Sequence, residues 1–217
     1  MTARYHAVVF DLDGVLWDGE PLYHEAFNIV LKPYGHRVTP EDYSNIIGNS
    51  VEAAWDYVLK RYQLTESPGK FYRLYDAAVL EMLASPVEPI EGVRETIARL
   101  KAIPVPVGLA SASLRQWVDA TLRGLKLENE FAATVSASEV DHAKPAPDLY
   151  LRAAEELGVP AAECVAVEDT RTGIRSAKAA GMYAVQVRAA STALAPIAEA
   201  DAVIEKYSEF DFSLVGG

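Results

Sequence analysis

Two aspartates, Asp11 and Asp13, follow a short apolar run near the start of this chain of 217 residues. The run, residues 5–10, consists largely of aromatic and β-branched side chains and predicts a buried strand, which Gly14 ends. Side chains two positions apart on an extended segment point to the same side, and an aspartate at a strand end can act as a nucleophile. The alternative is a solvated turn, because 31 acidic residues make such pairs common by chance.

Further polar groups follow three later segments that also predict strands. Ser111 comes directly after the second strand, Lys144 opens a helix after the third, and Glu168 with Asp169 ends the fourth. The carboxyl ends of parallel strands lie along one edge of a sheet, where ligands bind in open α/β folds. We therefore expect these groups to meet the first aspartate pair at that edge.

These residue types can serve phosphate chemistry. Four carboxylates at one edge would repel each other, and a bound divalent cation, with Mg²⁺ the best match to oxygen ligands, relieves that repulsion. Ser111 and the backbone N–H groups of the following helix start can hold phosphate oxygens, and Lys144 supplies positive charge. Each residue also has a purely structural interpretation: Ser111 as a helix N-cap, Lys144 as an exposed loop lysine, and Glu168 with Asp169 as an acidic first helical turn.

The remaining sequence divides into an all-helical segment and a segment in which helices and strands alternate. Residues 20–85 carry apolar side chains at helical spacing, with Thr39 and Ser50 as the expected N-caps. A proline-marked connection at 85–89 follows, and beyond it helices alternate with strands, which is typical of a parallel sheet. The strands expected after the first one cover 105–110, 131–135, 164–167, 183–187 and 202–204.

This pattern predicts an α/β fold in which a doubly wound, mostly parallel sheet forms the core and a helical cap is inserted after the first strand. The core is assigned to residues 1–17 and 89–217, and the cap to residues 18–88.

Composition limits the function classes. A net charge of −11 without a basic cluster argues against nucleic-acid binding. No segment approaches the ~20 apolar residues of a membrane span, and no signal peptide is expected before the first strand. The single cysteine, Cys164, cannot form an internal disulfide and reads as a small buried residue. We expect a cytoplasmic protein with neither a membrane nor a nucleic acid as its partner.

Taken together, the strand-end motifs resemble those of the haloacid dehalogenase superfamily, and most closely its β-phosphoglucomutase-like phosphatases. The resemblance runs nearly from end to end of the chain and implies a Rossmann-like core with a cap. The four motifs are Asp11-Leu12-Asp13-Gly14-Val15, Ser111-Ala112-Ser113, Lys144-Pro145-Ala146-Pro147 and Val167-Glu168-Asp169-Thr170.

The resemblance also implies roles for these residues. Asp11 would be the nucleophile that forms an aspartyl phosphate, and Asp13 the general acid and base. Asp169 and the carbonyl of Asp13 would join Asp11 on Mg²⁺, with Glu168 as a further ligand or close beside the ion. The groups expected to bind the transferring phosphoryl group are Ser111, Ala112 and Lys144.

Three features bear on the reaction. The dehalogenases that name the superfamily lack the second aspartate, so Asp13 favours phosphoryl transfer. Gly19 stands where relatives often carry a hydroxyl beside the hinge. The β-phosphoglucomutases carry a cap-loop arginine after a glycine, whereas here Gly48 is followed by Asn49, Ser50 and Val51, with no basic residue before Lys60.

The leading hypothesis is a Mg²⁺-dependent phosphatase of small phosphorylated metabolites, with sugar phosphates the favoured class. The alternatives are a β-phosphoglucomutase, a receiver-like phospho-acceptor and a non-catalytic binding protein. The sequence gives neither the substrate nor the oligomeric state. The candidates for substrate specificity, each with core packing or solvent exposure as its alternative interpretation, are Trp17, Gly48, Asn49, Arg73 and Arg115.

Overall fold

A computed structural model describes residues 4–47, 50–190 and 195–216. Six strands form one sheet in which every pair is parallel, in the order β3-β2-β1-β4-β5-β6. The strands are β1 (Ala7–Phe10), β2 (Val107–Ser111), β3 (Ala133–Ser136), β4 (Cys164–Glu168), β5 (Tyr183–Val187) and β6 (Ala202–Ile204). The prediction of a doubly wound parallel sheet is confirmed.

The strand order places β1 near the middle of the sheet, between β2 and β4. The chain runs outward from β1 to β2 and β3, and then returns to add β4 on the other side of β1. The sheet therefore has its topological switch point between β1 and β4, the position at which open α/β sheets bind ligands. All residues of β1 and β4 are buried, and carboxylates stand at the carboxyl ends of both strands, with Asp11 directly after β1 and Glu168 as the last residue of β4.

The chain divides into two compact units, residues 1–18 with 86–217, and residues 19–85. Among its described residues, the first unit contains the sheet and four α-helices, α5 (Val93–Lys101), α6 (Arg115–Leu125), α7 (Asp148–Leu157) and α8 (Arg171–Ala179). On one face of the sheet, buried side chains of α7 and α8 such as Leu149, Tyr150 and Ile174 pack with β1, β2 and β4 in a single apolar cluster. Cys164 is buried in that cluster, as predicted.

In residues 19–47 and 50–85 of the second unit the regular structure is helical, with α1 (Glu20–Leu31), α2 (Pro40–Ser44), α3 (Val51–Arg61) and α4 (Pro68–Leu83). Both predicted N-caps are confirmed, because Thr39 Oγ1 accepts from the N–H of Asp42 and Ser50 Oγ accepts from the N–H of Ala53. Its core is aromatic. The ring of Phe27 lies 4.8 Å from that of Trp55 and 4.4 Å from that of Tyr75 between centroids.

Several boundaries differ from the sequence-based expectation. β2 begins at Val107 rather than at 105, because Pro106 has no N–H to donate to a ladder. At its other end, β2 includes Ser111, which pairs with Ser136 of β3, so Ser111 is the last residue of the strand instead of following it. Lys144 lies in a loop four residues before α7 and does not open that helix. Among the described residues, no helix is long and apolar enough to cross a membrane.

Candidate active site

The carboxyl end of β1 delivers Asp11 into a buried position between β1 and β4. Its N–H donates to the carbonyl of Val167 at 2.9 Å, so the ladder between the two strands continues through the backbone of this residue. Asp11 is only 7% exposed, whereas Asp13 is half-buried. Burial raises the pKa of the Asp11 carboxyl to about 7, against the opposing attraction of Lys144.

Lys144 lies between two of the predicted carboxylates. Its Nζ donates to Oδ1 of Asp11 at 2.6 Å and to Oε1 of Glu168 at 2.5 Å, and its side chain is 6% exposed. Burial by itself would lower the pKa of Lys144, but the two carboxylates outweigh burial and raise it. The interpretation of Lys144 as an exposed loop lysine is therefore wrong.

Glu168 accepts more hydrogen bonds than the other carboxylates of the cluster in the part of the chain that is described. Oε1 accepts from Lys144 Nζ and from the hydroxyl of Tyr150, the latter at 3.1 Å. Oε2 accepts from the N–H of Asp169 at 3.0 Å, and from the N–H and the hydroxyl of Thr170, both at 3.1 Å. A Cβ on Gly173 would lie 1.7 Å from Oε1, so only glycine allows α8 to approach this carboxylate so closely.

Asp169 completes an acidic cluster that fits a divalent cation. One oxygen from each of Asp11, Glu168 and Asp169 lies within 4.8 Å of the other two. Oδ1 of Asp169 is buried and has no hydrogen-bond partner among the described residues. Burial, with repulsion from Glu168 and Asp11, raises the pKa of Asp169 to about 9. Anionic oxygens gathered in this way are the ligands that hard divalent cations prefer.

The cluster depends on the glycine that ends β1. Gly14 has a φ of +76°, and a Cβ at this position would lie 2.1 Å from Oδ2 of Asp169. The left-handed backbone and the close approach of the carboxylate both require glycine here. The Asp-x-Asp-Gly sequence is thus a built turn that fits against Asp169, and the interpretation as a solvated turn is wrong.

The second motif contributes through the loop after β2. Ser111 is fully buried, and its hydroxyl accepts from the N–H of Ser113 at 3.1 Å, while Leu114 occupies the N-cap position of α6. The interpretation of Ser111 as the N-cap of this helix is therefore wrong. Ala112 is exposed between the two serines. The Ser113 hydroxyl donates to Oδ2 of Asp13 at 2.8 Å, which joins this loop to the first motif.

The candidates for substrate specificity lie in different surroundings. Trp17 is 3% exposed, and its indole N–H donates to Oδ1 of Asp13 at 3.1 Å. Arg115 donates to Thr134 in β3 and to Glu139 in the 3-10 turn that follows, so its guanidinium is held against this strand. Arg73 lies in α4 with an exposed side chain. Gly48 and Asn49 lie outside the described residues.

Sequence reasoning missed three side chains of the site. Ser113 stood inside a quoted motif, two residues after Ser111, and this spacing was the available signal. Thr170 directly follows the acidic pair, and its role as N-cap of α8 is typical of a threonine before a helix. Tyr150 gave no signal, because its helical spacing marks it only as a core residue.

The geometry agrees with the comparisons to known proteins. The family model of haloacid dehalogenase-like hydrolases matches residues 8–187. The chain belongs to this family. The match includes every residue of the acidic cluster, Lys144 and the serine loop, and it confirms the superfamily that the sequence motifs indicated.

Individual relatives place the chain in the expected branch. A fructose-1-phosphate phosphatase of Escherichia coli is 35% identical over 188 residues, which cover 87% of this chain and 99% of the relative. A phosphorylated carbohydrates phosphatase of Thermotoga maritima is 31% identical and covers 81% of this chain and 82% of its own length. A solved structure from Thermotoga maritima, provisionally named β-phosphoglucomutase, has a TM-score of 0.81 at 27% identity and covers 96% of both chains. The prediction of a phosphoric monoester hydrolase of this family is confirmed.

Proposed function

We propose that this protein is a Mg²⁺-dependent phosphatase that hydrolyses small phosphorylated metabolites, sugar phosphates above all, through an aspartyl-phosphate intermediate. The observation that carries the proposal is the position of Asp11, whose carboxylate meets the ammonium of Lys144 on one side and the acidic cluster with Asp169 on the other. Phosphoryl transfer requires a nucleophile, a positively charged side chain for the phosphoryl oxygens and a bound metal ion. Asp11 can serve as the nucleophile, Lys144 supplies the positive charge, and the acidic cluster could hold the ion.

In the first step a carboxylate oxygen of Asp11 attacks phosphorus and the bond from phosphorus to the leaving oxygen breaks. Asp13 gives a proton to that oxygen, which departs as an alcohol. Lys144 lies within reach of the phosphoryl oxygens when they meet Asp11, and it offsets the charge that they gain. Ser111 and the backbone N–H groups of the loop that contains Ala112 would hold the remaining oxygens.

In the second step a water molecule attacks the aspartyl phosphate. Asp13, now ionised, takes a proton from that water, and the bond between Asp11 and phosphorus breaks to release inorganic phosphate. The same carboxyl group therefore serves as acid and then as base, which explains why a second aspartate stands two residues after the nucleophile.

Mg²⁺ would be held by Asp11, Asp169 and the carbonyl of Asp13, and it would supply charge neutralisation at the phosphoryl oxygens. We assign Glu168 to a position beside the ion, because its oxygens already accept five hydrogen bonds. In that position Glu168 holds Lys144 and the turn at Thr170. Oδ1 of Asp169, in contrast, is buried and accepts no hydrogen bond from the described residues, so it is the better metal ligand.

Relatives named as phosphatases of fructose 1-phosphate and of phosphorylated carbohydrates support the sugar-phosphate class. The test is a phosphate-release screen over sugar phosphates, sugar-alcohol phosphates and other phosphomonoesters, with MgCl₂ and with a chelator. We expect release that requires Mg²⁺ and is fastest with one group of sugar phosphates. Equal release in the presence of the chelator would refute the metal dependence, and turnover of no ester would refute the function.

A further inference from the structure

Both oxygens of the Asp13 carboxyl group accept a hydrogen bond from a side chain of the described residues, and these two donors are of different kinds. Oδ1 accepts from the indole N–H of Trp17 at 3.1 Å, and Oδ2 accepts from the hydroxyl of Ser113 at 2.8 Å. The donors come from two separate loops, one after β1 and one after β2. Together they fix both the position and the rotation of the carboxyl group.

The loop that carries Trp17 is braced along its length. The N–H of Gly14 donates to the carbonyl of Trp17 at 2.8 Å, which closes the turn. The hydroxyl of Tyr207 donates to the carbonyl of Val15 at 2.7 Å, and the N–H of Ile90 donates to the carbonyl of Leu16 at 2.8 Å. Each residue from 15 to 17 thus has its carbonyl held, so the buried indole has little freedom to leave Asp13.

The loop that carries Ser113 is braced in the same way. The N–H of Ser113 donates to the buried hydroxyl of Ser111 at 3.1 Å, and the carbonyl of Ser113 accepts from the N–H of Ala137 at 3.3 Å. The serine is therefore held between the end of β2 and the segment that follows β3. Its hydroxyl can rotate, but its Cα cannot drift away from Asp13.

The two donors impose different constraints on a proton. An indole N–H can only donate, whereas a hydroxyl can donate or accept. Oδ1 must therefore remain an acceptor toward Trp17 whether Asp13 is ionised or protonated. Ser113 donates to the ionised carboxylate and can reverse its hydrogen bond to accept from the protonated form.

From this geometry we propose that Trp17 and Ser113 are positioning residues for catalysis, and that they select Oδ2 of Asp13 as the oxygen that carries the transferred proton. The inference rests on the proposed function, in which Asp13 is the general acid and base. As the bond between phosphorus and the leaving oxygen breaks, its electron pair stays on that oxygen and the proton moves to it from Oδ2. In the second step Oδ2 recovers a proton from the attacking water while the Asp11 carboxylate is released.

The contact itself can be tested without any turnover, by NMR of the indole N–H groups. The chain has 3 tryptophans, and Trp17→Phe identifies the Trp17 signal by its loss. We expect Asp13→Ala to move this signal and to leave the signals of Trp55 and Trp117 in place. As a matched control, Asp211→Ala, in a turn outside the site, should move none of the three. A Trp17 signal that does not respond to Asp13→Ala would overturn the inference.

The role of Trp17 and Ser113 in proton transfer is tested by comparing esters whose leaving groups differ in their need for a proton. The measurement is the rate of alcohol or phenol release in the first turnover, with enzyme in excess over ester. A sugar needs a proton in order to leave, whereas p-nitrophenol departs as its anion. Ser113→Ala and Trp17→Phe should slow release from the best sugar phosphate by roughly 10- to 100-fold, which is a substantial share of a general acid's contribution. They should slow release from p-nitrophenyl phosphate by no more than about 3-fold, because that step draws no proton from Asp13.

Two further variants separate positioning from structural damage. Ser113→Thr keeps a hydroxyl and should recover most of the rate on the sugar phosphate. Ser213→Ala removes a serine hydroxyl that also donates to an aspartate, Asp211, at 2.6 Å, and it should behave as wild type on both esters. If Trp17→Phe fails to fold, the Ser113 pair carries the comparison. Equal losses of rate on the sugar phosphate and on p-nitrophenyl phosphate would overturn the inference. A wild-type protein without turnover on either ester would refute the proposed function and this inference together, whatever the NMR shows.

Discussion

The ammonium of Lys144 lies 2.6 Å from Oδ1 of Asp11, although 133 residues separate them in the chain. Neither group has much access to water, since the two side chains are 6% and 10% exposed. The pair is shared with Glu168, so one buried cation serves two carboxylates at the switch point of the sheet. An arrangement of this kind contributes to stability and to chemistry at the same time, and the two contributions can be measured separately.

Lys144→Met should lose both contributions. Methionine has a similar length without the charge, so Asp11 and Glu168 would remain buried with no counter-ion. Breaking a buried ion pair by removing one partner typically costs about 3–5 kcal/mol in the free energy of unfolding. We also expect phosphate release to fall by roughly 10²–10³-fold, because the phosphoryl oxygens lose their fixed cation.

Urea unfolding and phosphate release on the same preparations check the two losses. The matched control is Lys101→Met, which breaks a half-exposed pair with Glu130 and should cost no more than about 1 kcal/mol with unchanged activity. Similar unfolding free energies for the two variants would contradict the buried pairing.

Asp11→Asn should abolish turnover and leave the fold intact. The amide oxygen can still accept from Lys144, but an amide cannot accept a phosphoryl group, and we expect a loss of at least about 10³-fold. Phosphate release and circular dichroism give the two readouts. Asp201→Asn is the control, because Asp201 pairs with Lys178 away from the site. Residual activity of about a tenth of wild type, with deamidation excluded by mass spectrometry, would rule out the covalent mechanism.

Asp169→Asn should separate stability from metal binding. In the absence of a cation, burial and nearby carboxylates raise the pKa of Asp169, so this group destabilises the folded protein at pH values above its ordinary pKa, and an amide, which does not titrate, should raise the Tm of the chelated protein. Wild type should gain Tm on addition of MgCl₂, since a ligand at 100 times its Kd stabilises by about 2.7 kcal/mol, and the variant should lose most of this gain.

Thermal melts with chelator and with MgCl₂ test this prediction. Asp211→Asn, which changes an aspartate elsewhere in the same unit, should keep the full response to Mg²⁺. A variant that melts below wild type in chelator and still responds fully to Mg²⁺ would show that Asp169 has been assigned to the wrong role.

Much of this fold follows from the sequence, and the reasons are local. The runs 183–187 and 202–204 were expected as strands and are strands with those bounds, because each is a short, mostly apolar run with a turn-forming or charged residue close to either end. Polar residues at strand ends also placed the acidic cluster, since parallel strands bring their carboxyl ends to one edge.

The remaining contacts depend on long-range packing that no spacing encodes. Ser113 and Asp13 are 100 residues apart, and their hydrogen bond requires a particular rotamer of each side chain as well as the registers of β1 and β2. Tyr150 is similar, because its hydroxyl reaches Glu168 only once α7 has packed on the sheet. Sequence patterns assign such residues to the core and give no account of their polar atoms.

The helical unit offers a test of pH dependence away from the site. Hydrogen bonds from Arg61, Tyr62 and Thr39 lower the pKa of Asp42. A lowered pKa in the folded protein means that the ionised group stabilises this unit above the ordinary pKa, and that this contribution is lost as pH falls through the lowered value. We expect Asp42→Asn to lower the Tm by a few degrees at neutral pH and to have a smaller effect in acid.

Melting curves of wild type and Asp42→Asn from neutral to acidic pH provide the measurement. Glu41→Gln, at the neighbouring exposed position, is the control and should show no such trend. A difference in Tm that stays constant over this range would contradict the assigned role of the Asp42 charge.

Retention of a bisphosphorylated intermediate distinguishes a mutase from a phosphatase. A mutase has to retain a bisphosphorylated intermediate while it reorients, and for this the distal phosphate needs a positive partner in the cap. An arginine suits that task through its permanent charge and planar fork of donors. By the resemblance drawn from the sequence, we expect the position of this arginine to fall at Val51, the first residue of α3. Losing a charged contact to a desolvated phosphate costs about 2–5 kcal/mol, which corresponds to roughly one and a half to nearly four decades in retention.

Water should therefore capture the phosphoryl group before a sugar phosphate returns. With β-glucose 1-phosphate, a trace of glucose 1,6-bisphosphate and MgCl₂, we expect inorganic phosphate to accumulate ahead of glucose 6-phosphate. Val51→Arg should shift the product ratio toward glucose 6-phosphate, whereas Val51→Gln, a polar residue without the charge, should leave it unchanged. Glucose 6-phosphate that forms well ahead of phosphate in the wild-type protein would identify a mutase instead, because retention would then have been achieved without the arginine.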